Sequence, residues 1–179
     1  MSRTLKAPGL EPEDVLDLTV GDVVYIDGTL YTARDKAHHR MFVEGEDPPV
    51  DLEGAAVFHA GPVVRKTDGG YEIVAVGPTT STRMAAYTRD VVEAGVRAIV
   101  GKGGLGEDAP EIMRGEAVYL TAPGGCAALL GERVVRVKDV HWLDLGIPEA
   151  VWELEVKRFG PLIVTIDAHG NVLDAQGGD

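Results

Sequence analysis

The chain has 179 residues, enough for one domain with a real core, and no apolar run approaches the ~20 residues that span a bilayer. A net charge of −12 excludes a general affinity for nucleic acid, since phosphate neutralisation needs a cationic surface. Cys126 is the only cysteine, so no intrachain disulfide forms, and a zinc or iron–sulfur site would need its ligands mainly from another chain. The N-terminus "MSRTLKAPGLEPED" lacks a hydrophobic signal region, which sets the cytoplasm as the expected compartment.

In chain order, "LEPEDVLDL" is expected as a surface turn or short helix. "GDVVYIDGTLYT" (residues 21–32) alternates like a strand, and Asp27-Gly28 predicts a hairpin turn within it. "TARDKAHHRMFVEG" predicts a short helix, with Thr32 as cap, Asp35 three positions on as in a capping box, and Gly45 as the stop. Strands are expected at "AAVFHAG", "PVVRKT" and "YEIVAVG", the last two joined by an Asp68-Gly69-Gly70 turn. "TSTRMAAYTRDVVEAG" predicts a helix with Met84, Tyr87, Val91 and Val92 on one face. A buried strand "RAIVG", a helix "EDAPEIMRG", a strand "AVYLT" and a short helix "GGCAALLGE" follow. Strand signals then dominate in "RVVRVKDVHWLDL", "WELEVKRFG" and "LIVTIDAHGNVL". Strand-rich ends around an alternating middle predict a layered β/β/α arrangement rather than a doubly wound sheet, as a single domain over residues 1–179 with its core at about 5–173.

Three junctions share one design: "YTARD", "VGPTTSTRM" and "IVGKGGLG" each end a strand and place a cation near a helix start. Helix starts present unpaired N–H groups and a positive dipole end, which favour anions. Arg34 and Arg83 can each hold a carboxylate through a planar fork, and Lys102 adds a point charge. Together they suit a small dianion. The plain alternative is that the threonines are ordinary caps and the arginines ordinary surface residues. "GKGGLG" formally matches a dinucleotide fingerprint, but no acidic residue stands where the following strand ends, and Pro110 interrupts the expected helix. The adjacent His38 and His39 point about 100° apart on a helix, so they do not share a metal readily. His38 is placed toward the cationic site and His39 in solvent. His59, beside a Gly-Pro break, either lines the site or is a satisfied structural histidine. "DAHG" (residues 167–170) fits a turn, and Cys126 fits a small buried residue whose place at a helix start could lower its pKa.

Taken together, "GDVVYIDGTLYTARDKAHHRM", "FHAGPVV", "VGPTTSTRM", "VGKGG", "PGGCAALL" and "FGPLIVTIDAHGNVL" resemble the beta subunit, or C-terminal domain, of the iron–sulfur hydro-lyases. These are the class I fumarases and L(+)-tartrate dehydratases. The resemblance runs from about Leu5 to Leu173 and implies an α/β fold, the three-layer swivelling β/β/α domain with mixed sheets. It implies reversible hydration of a carbon–carbon double bond in a four-carbon dicarboxylate. A [4Fe-4S] cluster is implied on a cysteine-bearing alpha subunit, not on this chain, in a heterotetramer of two alpha and two beta subunits. By motif, Arg34, Arg83 and Lys102 resemble the residues that bind the substrate carboxylates, with Thr80 beside them. Thr79 is similar to the threonine that acts as catalytic base, assisted by an aspartate of the other subunit. His38, His59 and Asp35 are candidate site-lining residues. Fumarate hydration to malate is the first expectation and L(+)-tartrate dehydration to oxaloacetate the second, because "FHAGPVVRK" looks closer to the tartrate enzymes where fumarases often have tyrosine at the His59 position. A dicarboxylate-binding module without catalysis is the alternative of another class.

Overall fold

The alternation in residues 21–32 makes one uninterrupted strand, not a hairpin. In the computed structural model, which describes residues 2–174, β2 spans Val23–Thr32 and pairs in parallel with β1, Ser2–Ala7. Gly28 sits at an irregularity in β2 with φ 106°. A Cβ there would lie 2.0 Å from the carbonyl oxygen of Ala7, so glycine serves close strand approach at a bulge rather than a turn. The neighbouring Asp27 turns its carboxylate outward, accepting the N–H of Arg158 at 2.7 Å and Lys157 Nζ at 3.2 Å.

The remaining strands are β3 (Ala56–Phe58), β4 (Val63–Thr67), β5 (Gly70–Ala75), β6 (Ala98–Gly101), β7 (Val118–Thr121), β8 (Val134–His141) and β9 (Val151–Ile166). The main sheet runs β1-β2-β3-β6-β7-β9-β8. Its first five strands pair in parallel, and β9 pairs antiparallel with β7, β8 and β2. The β2–β9 pairing brings the sheet round on itself, so β2, β3, β6, β7 and β9 form a barrel-like wall. β4 and β5 make a separate hairpin, with its turn at residues 68–69 as expected. The fold is therefore α/β with mixed sheets.

Side chains on the short parallel strands alternate between two cores, as the two-residue strand period requires. Phe58, Val100 and Leu120 point to one, with Trp152, Leu154 and Phe159 of β9. Val57, Ile99 and Tyr119 point to the other. The first is closed by the β4–β5 hairpin and α5 (Ala127–Glu132). There the Phe58 and Phe159 rings meet edge to face at 5.4 Å, a contact worth about 0.5–1.5 kcal/mol beyond area burial. The second core lies under α2 (Asp35–Phe42), α3 (Thr88–Glu93) and α4 (Ala109–Met113), reached by Ala37, Met41, Val91, Val92 and Met113. α1 is the short helix Pro12–Leu16. The helix expected from Thr80 onward begins one residue later as a 3-10 helix, Ser81–Tyr87, and continues as α3, with Met84, Val91 and Val92 buried on one face. Pro110 lies in the first turn of α4 and opens that helix rather than interrupting it.

Candidate functional site

Parallel strands deliver their carboxyl ends to one edge, and β2, β3 and β6 end there at Thr32, Phe58 and Gly101. Ligand crevices of open α/β sheets form at that edge. The three cationic junctions meet on it. The Thr79 N–H donates to the His59 carbonyl at 2.7 Å, and the Ser81 N–H donates to the Lys102 carbonyl at 2.9 Å. Thr80 forms an isolated parallel bridge with Lys102. Arg83 Nη2 donates to Thr79 Oγ1 at 3.0 Å and stands 3.3 Å from Asp35 Oδ2, which joins the second junction to the start of α2. Arg83, Thr79, Asp35, Thr80 and Lys102 thus form one connected group.

Arg34 precedes α2 in the capping position, with Nε 3.5 Å from Glu149 Oε1. The other Glu149 oxygen accepts the N–H of Lys36 at 3.2 Å. Glu149 therefore satisfies the helix start that the sequence assigned to Thr32. Thr32 itself is the last residue of β2 and fully buried, and its Oγ1 accepts the Trp152 N–H at 3.1 Å. Gly61 leaves room for Arg34, since a Cβ there would lie 2.9 Å from its Nη1. Arg34 is about one-quarter exposed, Arg83 is half exposed, and Thr80 and Lys102 are exposed. Three cations against Asp35 and Glu149 leave this edge positive in a strongly acidic chain.

The two candidate histidines lie beneath this edge. His38 is buried rather than turned to the cationic face, and its Nδ1 and backbone N–H both donate to the Arg34 carbonyl, at 2.7 and 3.1 Å. A carbonyl only accepts, so Nδ1 carries the proton. Its ring stacks on Tyr87 and meets His59 edge-on at 5.4 Å. His59 is buried, with Nδ1 2.8 Å from Ser81 Oγ, which agrees with a satisfied structural histidine. Burial holds both imidazoles below the usual histidine range, and for His59 the neighbouring His38 adds to the effect. Both are neutral near pH 7 and add no charge to the site. His39 is exposed, as expected, 3.7 Å from Glu44.

Two other expectations separate here. Asp167 to Gly170 is a turn in which Asp167 accepts the N–H groups of His169, Asn171 and Val20. Cys126 stands before α5 and packs in the apolar core, where burial pushes its thiol up, opposite to the activation a helix start could give. One buried thiol does not fit an iron–sulfur cluster, which takes several thiolates.

Sequence reasoning missed Glu149, Ser81 and Tyr119. Glu149 carries no local signal, because its partner Lys36 lies 113 positions away. Ser81 stands inside the "TTST" run, but only the fold reveals that it is buried while its neighbours Thr80 and Thr82 are exposed.

The family described as Fumarase C-terminus matches residues 4–177. The chain is 47% identical over 178 residues to the L(+)-tartrate dehydratase subunit beta of Escherichia coli (strain K12), an alignment covering 98% of this chain and 88% of that protein. It is 48% identical over 168 residues to a protein of Methanocaldococcus jannaschii provisionally named as the same subunit, covering 90% and 86%. It is 44% identical over 173 residues to a Geobacillus stearothermophilus protein provisionally named fumarate hydratase class I, covering 95% of this chain but 33% of that protein. With the match running through all three cationic junctions and nearly end to end, the chain belongs to the Fumarase C-terminus family.

Proposed function

We propose that this chain is the beta subunit of an iron–sulfur hydro-lyase that dehydrates L(+)-tartrate to oxaloacetate in the cytoplasm. The observation that carries the reading is the convergence of the three cationic junctions at the carboxyl ends of the parallel strands, where Arg83 meets Thr79 and Asp35, the chain neighbour of Arg34, and Thr80 bridges to Lys102. The order of the two substrates expected from sequence is reversed, because the relatives of similar length are named for tartrate. Fumarate hydration is the second reading, favoured by the longer relative named for it.

The chain's share follows from its side chains. Arg34 and Arg83 hold the two substrate carboxylates through planar forks, and Lys102 and Thr80 complete their surroundings. Thr79 takes the proton from the carbon next to the one that loses hydroxide. The enol that results passes to oxaloacetate. An unassisted threonine is a poor base, and the aspartate implied on the alpha subunit is the proton's next carrier. The [4Fe-4S] cluster belongs to that cysteine-bearing alpha subunit and supplies a Lewis acid for the departing hydroxyl. Exposure of Arg83, Thr80 and Lys102 supports this division, since their open face leaves a second chain to complete the site. The reading carries with it the swivelling β/β/α description of the domain and an assembly of two alpha and two beta subunits. No described helix is long and apolar enough to cross a membrane.

The test compares the purified chain with the chain assembled with its alpha subunit. The chain alone is expected to hold no cluster and turn over neither acid. The assembled enzyme is expected to favour L(+)-tartrate over fumarate in kcat/KM by at least about tenfold, since a site that hydrogen-bonds substrate hydroxyls rejects an analogue lacking them. Cluster absorbance with stoichiometric iron and sulfide in the isolated chain would contradict the division of labour. A preference for fumarate would establish the second reading, and no turnover of either would leave a binding module.

A further inference from the structure

Lys102 is carried by a loop with little stiffness of its own. Gly101, Gly103, Gly104 and Gly106 surround it, and Gly103 adopts φ 74° with open space around it. Such a loop loses much conformational freedom on ordering, so side chains elsewhere must hold it. Three do. The Tyr119 hydroxyl donates to the Gly103 carbonyl at 2.8 Å, and Thr82 Oγ1 donates to the Gly104 carbonyl at 3.1 Å. Ser81 grips Lys102 itself at two points: its N–H donates to the Lys102 carbonyl at 2.9 Å, and its Oγ accepts the Lys102 N–H at 3.3 Å.

The Ser81 hydroxyl is fully buried and also meets His59 Nδ1 at 2.8 Å. The His59 backbone N–H donates to the Val100 carbonyl at 2.8 Å and the His59 carbonyl accepts the Thr79 N–H at 2.7 Å, so the Ser81 hydroxyl stands between the loops bearing Thr79 and Lys102. Burial pushes the Tyr119 phenol up to about 12, with the Ser81 hydroxyl opposing the shift, so the phenol stays protonated as the donor to Gly103. Room for this hub comes from Gly101, where a Cβ would lie 1.8 Å from Ser81 Oγ and 3.1 Å from the Tyr119 oxygen. A rotamer change of Ser81 cannot relieve such a clash without breaking the hydrogen bonds just described.

We propose that Ser81 is a positioning residue whose buried hydroxyl sets where Lys102 presents its ammonium to the substrate carboxylate. The proposal rests on the reading of Lys102 as a carboxylate ligand. Ser81 touches no substrate, and it acts through the Lys102 backbone.

The test is a double-mutant cycle in the assembled enzyme with L(+)-tartrate, using Ser81→Ala, Lys102→Ala and the pair. Ser81→Ala alone is expected to raise KM about tenfold, the scale of one lost hydrogen bond with its buried partners left unpaired. In the Lys102→Ala background the same change is expected to move KM less than about twofold, because the side chain it positions is gone. An equal rise in both backgrounds, or no rise in the first, overturns the proposal. Lys102→Ala with unchanged kinetics overturns instead the reading on which it rests. Should Ser81→Ala fail to assemble, Ser81→Cys, which keeps the size and weakens the acceptor, goes through the same cycle with the same two outcomes.

Discussion

Thr79→Ala and Thr79→Asn are expected to lower turnover of the assembled enzyme by at least about a hundredfold, the scale of a lost acid–base group, while Thr79→Ser keeps a measurable fraction. Two hydrogen bonds fix the residue in place. Its N–H is tied to the His59 carbonyl, which fixes the backbone, and its Oγ1 accepts a hydrogen bond from Arg83. A guanidinium beside a hydroxyl favours the deprotonated oxygen, part of the assistance a threonine base needs. Capping is not its role, since the position before the 3-10 helix belongs to Thr80 and no side chain caps that helix. Alanine should therefore cost well under the ~1 kcal/mol of a lost cap, and asparagine, a good cap without an exchangeable hydroxyl, should rescue nothing. Thermal melting and steady-state kinetics of the three variants check this together. A Thr79→Asn enzyme with near-normal turnover would remove Thr79 from the chemistry.

Arg83→Lys is expected to lower turnover at least about tenfold with little change in melting temperature. The side chain is half exposed, so its truncation removes little packing. Its geometry is another matter. One guanidinium nitrogen stands between Thr79 Oγ1 and Asp35 Oδ2, and the remaining donors of the planar group have no hydrogen-bond partner among the described residues. A lysine ammonium keeps the charge but cannot hold the threonine oxygen and a two-point carboxylate contact at fixed angles. The loss should therefore fall on kcat, through misorientation of both base and substrate. Unchanged kcat and KM would place Arg83 outside the site.

Local patterns announced the elements whose partners are close in sequence. The Asp68-Gly69-Gly70 hairpin, the buried strand around Ile99 and the helical face of Met84, Val91 and Val92 all stand as expected. The cationic edge was legible for the same reason, because each junction carries its own threonine, glycine or cation. Decisions made by distant residues were not legible. Asp27-Gly28 has the composition of a hairpin turn, but the approach of the Ala7 carbonyl makes it a bulge in a continuous strand. β1 gave little signal, because only Leu5 and Ala7 of its six residues are buried. The Gly160-Pro161 pair divided the C-terminal strand on paper, whereas β9 runs through it by shifting register against β2 between Ile26 and Val24. At the site, Thr32 looked like a cap until β9 claimed its hydroxyl and Glu149 took over the helix start.

The most direct measurement is the crystal structure of the assembled enzyme with L(+)-tartrate held in an inactive variant, Thr79→Ala. The two substrate carboxylates are expected within about 2.7–3.2 Å of the Arg34 and Arg83 guanidiniums and the Lys102 ammonium, with the position of the Thr79 hydroxyl facing a substrate carbon. A tartrate bound entirely by the alpha subunit, touching none of these three cations, would overturn the reading.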